Sequence, residues 1–185
     1  MTRRNWTLVL MIVLGMTLFS ALNAAAQAPA HKVVGAEKCK MCHQGPAKGN
    51  QFQIWTASGH AKAYATLATP AALEAAKKLG IADPQKDEKC LSCHTTANVL
   101  KAPADVSYKV EEGVGCEACH GPGSDYKAMA VMKDRAKAVA AGMVVPDEKT
   151  CLQCHNEKSP TYKPFNFAEM SKKIAHPAPK AEAAK

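Results

Sequence analysis

Aromatic side chains are scarce in this chain: four phenylalanines, four tyrosines and two tryptophans among 185 residues, 5% in all. Its hydrophobic content is rich in alanine instead. A chain of one-domain length with that inventory has modest means to build a conventional side-chain core. Unpaired cysteine is also missing. All eight cysteines fall in Cys-x-x-Cys pairs and none is left over. No nucleic-acid motif and no clustered basic face accompany the formal charge of +8, and the lysines are scattered, which argues against a nucleic-acid partner. The motif spacings are uneven, so a fixed-period repeat architecture is excluded.

What is present is one phrase used four times: Cys39-Lys40-Met41-Cys42-His43, Cys90-Leu91-Ser92-Cys93-His94, Cys116-Glu117-Ala118-Cys119-His120 and Cys151-Leu152-Gln153-Cys154-His155. Cys-x-x-Cys-His is the attachment pattern for a c-type haem. The two thiols form thioethers to the two vinyl groups of one haem, and the adjacent histidine reaches the iron as proximal ligand. Two intervening residues match the separation of the vinyls, and the histidine follows at once because the iron lies inward of that edge. Paired Cys-x-x-Cys motifs also build zinc ribbons. Histidine follows the second cysteine four times in four, although only seven residues are histidine. That favours four covalently bound haems, each with its iron, over zinc or disulfides.

The first residues read as an export signal. Arg3 and Arg4 give a positive start, Trp6 to Leu18 is apolar and uncharged, and A-x-A sites follow at Ala24–Ala26 and Ala26–Ala28. Cleavage after Ala28 is expected. The organisation is then a signal peptide at 1–28, a tetrahaem cytochrome c domain at 29–176 and a disordered Ala/Pro/Lys-rich tail at 177–185. The expected location is periplasmic. Membrane attachment enters only if the segment from Trp6 to Ala26 stays uncleaved, since it is just long enough to span a bilayer.

Haem also changes the account of core and charge. Without Arg3 and Arg4 the charge falls to about +6, and four ferric haems with their propionates bring the holoprotein near neutrality. The expected fold is mostly α: a small multihaem cytochrome of short helices and loops wrapped around four haems, with little or no sheet. It should be unfolded or molten without them, as for other metal-coupled folds.

Periodicity and punctuation predict helices over 51–67, 70–79, 126–141 and 168–175. A short strand is expected at Val106–Val110. Glycines at 113, 115, 121 and 123 flank the third motif, where a bare backbone can approach a haem face.

The ligand count carries functional weight. His43, His94, His120 and His155 serve as proximal ligands, leaving His31, His60 and His176. Four bis-histidine irons need four spare histidines, so at least one iron lacks a distal histidine from this chain. An iron without a strong sixth ligand can bind small molecules, whereas one held by two histidines passes electrons only. His60, on an apolar helical face with Trp55 and Tyr64, and His176, at a helix end, read as distal ligands. His31 lies close to the expected new N-terminus and reads as disordered. Met129 and Met132 share a helical face and are either ligands or ordinary packing.

The chain resembles the tetrahaem cytochrome c-554 family. Gly113-Val114-Gly115-Cys116-Glu117-Ala118-Cys119-His120-Gly121-Pro122-Gly123 is similar to that family's third haem site. His60-Ala61-Lys62-Ala63 resembles its helix with a distal histidine, and Phe165-x-Phe167-x-Glu169-Met170 with His176 resembles its C-terminal helix. The resemblance implies that His60 and His176 are distal ligands at the third and fourth sites, and that the haem on His94 is five-coordinate. One feature departs: the family has a further distal histidine about ten residues after H-G-P-G, and here none occurs between His120 and His155. The sixth ligand at the first site, on His43, is left among Met129, Met132 and His31.

The function these readings favour is electron transfer between redox partner proteins, a donor and an acceptor, with no catalytic residues of its own. Two alternatives compete. One is reduction of a nitrogen oxide at a five-coordinate haem, for which no acid–base pair is evident near His94. The other is membership of an extracellular multihaem conductive assembly.

Overall fold

In the computed structural model, residues 30–176 are described. The expected signal peptide at 1–28 and the tail at 177–185 lie outside the described residues. The chain divides into two units, Met1–Ala30 and His31–Lys185, and the second holds every haem motif.

Eleven short α-helices run through the described part. They are α1 Ala36–Lys40, α2 Gln51–Ala57, α3 Ala63–Thr66, α4 Pro70–Lys78, α5 Glu88–His94, α6 Thr96–Leu100, α7 Cys116–His120, α8 Met129–Met132, α9 Arg135–Ala140, α10 Glu148–Leu152 and α11 Phe167–Ile174. Three single 3-10 turns, Pro46–Lys48, His60–Lys62 and Val110–Glu112, fill in between. The described residues contain no strand beyond one isolated parallel bridge between Val33 and Ala104. None of the described helices is long and apolar enough to cross a membrane.

Local chemistry explains where the helices stop. Thr69 caps α4 by accepting the amide of Ala72, Pro70 occupies its first position, and Gly80 beyond its end takes φ +69°. The single helix expected over 51–67 is broken. Ser58 is extended at ψ 164°, and its hydroxyl accepts the amide of His60, so the chain turns at Ser58–Gly59 and restarts with the His60 turn. The helix expected over 126–141 is likewise split, because Asp134 caps a fresh start by accepting the amides of Ala136 and Lys137. The expected strand at Val106–Val110 does not form. Asp105 accepts the amide and hydroxyl of Ser107, making a turn that leaves Val106 fully exposed.

The buried apolar residues are mostly small: Val33, Val34, Ala36, Leu67, Ala76, Ile81, Ala118, Tyr126 and Ala138. Such a set fills too little volume to act as the core of a domain this size. Short helices of four to nine residues are also too short to persist on propensity alone. Both facts fit a fold organised around large apolar groups tied to the backbone.

Candidate haem-binding site

Each Cys-x-x-Cys-His phrase either forms or ends a short helix or turn, which puts both thiols and the imidazole on neighbouring positions of one turn. The second motif forms the end of α5 and the third is α7 itself. The first begins in α1 and the fourth in α10, and both finish just beyond those helices. No disulfide joins any of the eight cysteines. They converge in pairs between motifs rather than into fours. Cys39 of the first motif meets Cys116 of the third, and their mutual hydrogen bond pushes Cys39 up and pulls Cys116 down. Cys93 of the second meets Cys154 of the fourth, and that contact pulls Cys93 down to about 6. Cys119 and Cys151 lie within electrostatic reach and link the third motif to the fourth. Among the described residues, which include every cysteine and histidine of the chain, no three His, Cys, Asp or Glu side chains gather to hold a bare metal ion.

The histidines provide the sharpest geometry. The His60 and His155 rings have centroids 6.0 Å apart at an interplanar angle of 74°. His120 and His176 stand 6.0 Å apart at 63°. Two imidazoles on opposite sides of one metal ion, each with a bond of about 2 Å, have centroids separated by roughly this distance. Of the spare histidines singled out in the sequence, His60 thus faces the histidine of the fourth motif and His176 that of the third. No ring pair of this kind involves His43 or His94 among the described residues, although His176 lies within electrostatic reach of His43 as well. Desolvation lowers the pKa of His43, His60, His120 and His155, which keeps the imidazoles neutral, as a metal ligand must be.

Backbone carbonyls orient several of these rings. His94 Nδ1 donates to the carbonyl of Ala63 at 2.7 Å, and His120 Nδ1 to that of Val144 at 3.2 Å. Such bonds leave Nε2 as the lone-pair nitrogen, the usual arrangement for a ligating histidine. Phe165 stacks on His155 at 4.7 Å and 22°. The His60 turn is held by the third motif's approach: the Val114 amide donates to the carbonyl of His60 at 3.0 Å. Gly113 makes that contact possible. Its φ is +67°, and a β-carbon there would stand 2.7 Å from the His60 carbonyl oxygen.

Two groups not singled out in the sequence, Glu117 and Thr96, hold the motifs together, and His31 adds a third link. Glu117, inside the third motif, is 1% exposed. Its carboxylate accepts the amides of Val34, Gly35 and Gly123 at 2.6–3.1 Å, so it clamps the segment entering the first motif to the one leaving the third. Thr96, just after the second motif, accepts the amide of Gly115 at 2.7 Å and donates to the carbonyl of Gly113 at 3.0 Å. His31, expected to be disordered, is instead placed: its Nδ1 bonds the Asp125 carboxylate, and its Nε2 faces Gly142. An acidic residue between two haem cysteines with glycines on either side was the available signal for Glu117. The His31–Asp125 pair spans 94 positions and left none.

Glu112 adds a pH-sensitive element. Its Oε2 accepts the amide of Ala36 at 2.7 Å, while Oε1 is buried with no hydrogen-bond partner among the described residues. Burial, and then the nearby charges of Glu117 and Glu37, raise its pKa. A raised folded-state value means the neutral form is preferred on folding. The stability it contributes is complete below the ordinary carboxylate range and is lost as the pH rises through the raised value. Glu112→Gln is expected to flatten the denaturation midpoint of the holoprotein against pH between about 4 and 8, and to raise it at the upper end. A wild-type slope that persists unchanged in the variant contradicts this.

The cytochrome c554 and c-prime family model matches residues 38–121. Cytochrome c-554 of Nitrosomonas europaea is 36% identical over 121 residues, covering 60% of this chain and 46% of that protein. The chain thus matches about half the length of that curated relative. The solved structure of the reduced state of cytochrome c554 from Nitrosomonas europaea aligns with a TM-score of 0.51 at 27% identity, with 78% of each chain covered.

Proposed function

We propose that the chain, similar to cytochrome c-554 over much of its length, is a periplasmic electron carrier that passes electrons between redox partner proteins on four c-type haems. The observation that carries the reading is the pair of facing histidines, His60 with His155 and His120 with His176, each at 6.0 Å. A bis-histidine site has no room for substrate and suits one-electron exchange.

Cys39 and Cys42, Cys90 and Cys93, Cys116 and Cys119, and Cys151 and Cys154 would each hold one haem through two thioethers. His43, His94, His120 and His155 would be the proximal ligands, and His60 and His176 the distal ligands. Bound haem supplies reversible one-electron chemistry between ferric and ferrous iron. The protein's own part is positional. Cysteines of different motifs lie near one another, which sets the attachment points in the order first, third, fourth, second. Carbonyl bonds from Ala63 and Val144 orient His94 and His120. The four-site ladder lets charge spread over neighbouring groups with no bond made or broken.

Intact-mass spectrometry of the holoprotein tests the cofactor count. A mass heavier than the apoprotein by four haems is expected. Three or fewer, or zinc in their place, contradicts the reading.

A further inference from the structure

Among the described residues one charged side chain is buried, Glu117, and it lies between Cys116 and Cys119 in the third motif. A haem placed beside it can only bury it further. Both carboxylate oxygens meet donors alone. Oε1 accepts the amides of Val34 at 2.9 Å and Gly123 at 2.6 Å, and Oε2 those of Gly35 at 2.7 Å and Val34 at 3.1 Å. The cradle is shaped for this group, because a β-carbon at Gly123 would stand 2.9 Å from Oε1. Donors on every side suit the ionised carboxylate, an acceptor with nothing to donate. Among the described residues no lysine, arginine or histidine forms an ion pair with it. The charge also lies within electrostatic reach of the sulfurs of Cys116 and, in the first motif, of Cys39. A clamp needs acceptor oxygens; it does not need an unpaired buried charge, which is costly to desolvate.

Resting on the four-haem reading above, we propose that Glu117 tunes the reduction potential of the haem on Cys116 and Cys119, as a fixed negative charge that favours its oxidised state, and does so more weakly for the haem on Cys39 and Cys42. Ferric haem carries one more positive charge than ferrous haem, so a nearby carboxylate stabilises the ferric form. A unit charge at roughly 10 Å, across a medium of effective dielectric constant about 20, moves such an equilibrium about tenfold. For one electron that is about 59 mV. In the order first, third, fourth, second, the charge sits at the first and third sites. It therefore biases electrons away from that end of the ladder, toward the fourth and second haems.

EPR-monitored redox titration of the purified holoprotein tests this, with the third haem identified as the low-spin signal that His176→Ala removes. Glu117→Gln is expected to raise the midpoint of that signal by about 59 mV, a tenfold shift toward ferrous iron at fixed potential. Glu117→Asp keeps the charge and is expected to leave the midpoint in place, although its shorter stem weakens the clamp. A purely structural role gives a different pattern. A loosened pocket admits water, which favours the more highly charged ferric form, so both variants would fall, Glu117→Asp included. A midpoint that is unchanged or lower in Glu117→Gln, or that moves equally in Glu117→Asp, overturns the proposal. So does a rise confined to another signal, or a Glu117→Gln protein that cannot be obtained with four haems. Four haems by mass in the wild type without the expected rise defeats this inference alone and leaves the electron-carrier reading intact. Fewer than four haems in the wild type defeats both.

Discussion

Glu117→Ala is expected to lower the stability of the holoprotein by about 3–9 kcal/mol, since each of three buried amides left without an acceptor costs about 1–3 kcal/mol. The carboxylate is 1% exposed and accepts from Val34, Gly35 and Gly123. Alanine leaves all three amides buried without that acceptor. The loss is large against a total stability of about 5–15 kcal/mol for an ordinary domain. It also falls at a junction, because Val34 and Gly35 lead into the first motif and Gly123 leaves the third. Glu117→Gln keeps one acceptor oxygen but turns an amide group toward amide donors, so an intermediate loss is expected. Urea denaturation followed in the haem Soret band measures both, with Glu148→Ala, on the first turn of an exposed helix, as the control. A midpoint for Glu117→Ala that matches the control would mean that the clamp contributes nothing.

His60→Ala is expected to convert one haem from low-spin to high-spin, the one attached at Cys151 and Cys154. The imidazole of His60 stands 6.0 Å from that of His155, and removing it takes away the sixth ligand there. His176→Ala should do the same at Cys116 and Cys119, where His120 is the partner. The double variant should have no bis-histidine haem left. His31→Ala is the informative control: with its Nε2 against the backbone at Gly142, its loss should leave every spin state unchanged. Low-temperature EPR of the oxidised proteins reads all four variants. An unaltered His60→Ala spectrum, or a low-spin signal lost in His31→Ala, would falsify the ligand assignment.

The four Cys-x-x-Cys-His phrases were legible in the sequence because each is written in adjacent residues. The helical class was also legible, with no strand among the described residues. Boundaries were less so. Periodicity carried one helix across Ser58–Gly59 and another across Asp134, although a Ser–Gly pair and a capping aspartate are both ordinary signals for a break. Val106–Val110 has β-branched composition, but Asp105 and Ser107 close a turn that the alternation did not reveal. Which spare histidine faces which proximal one was narrowed only by the resemblance, to the third and fourth sites. Periodicity and spacing carry no information about rings separated by 95 positions, such as His60 and His155, so that pairing required the folded chain. The same holds for Thr96 against Gly115 and for His31 against Asp125.

The central claim is a carrier of four electrons, and coulometric titration of the purified holoprotein under anaerobic conditions tests it most directly. The account predicts four electrons taken up per chain and the same four returned to an oxidised redox protein, with nitrogen oxides absent throughout. Uptake of fewer than four, or electrons that can be withdrawn only when a nitrogen oxide is supplied and consumed, would contradict it.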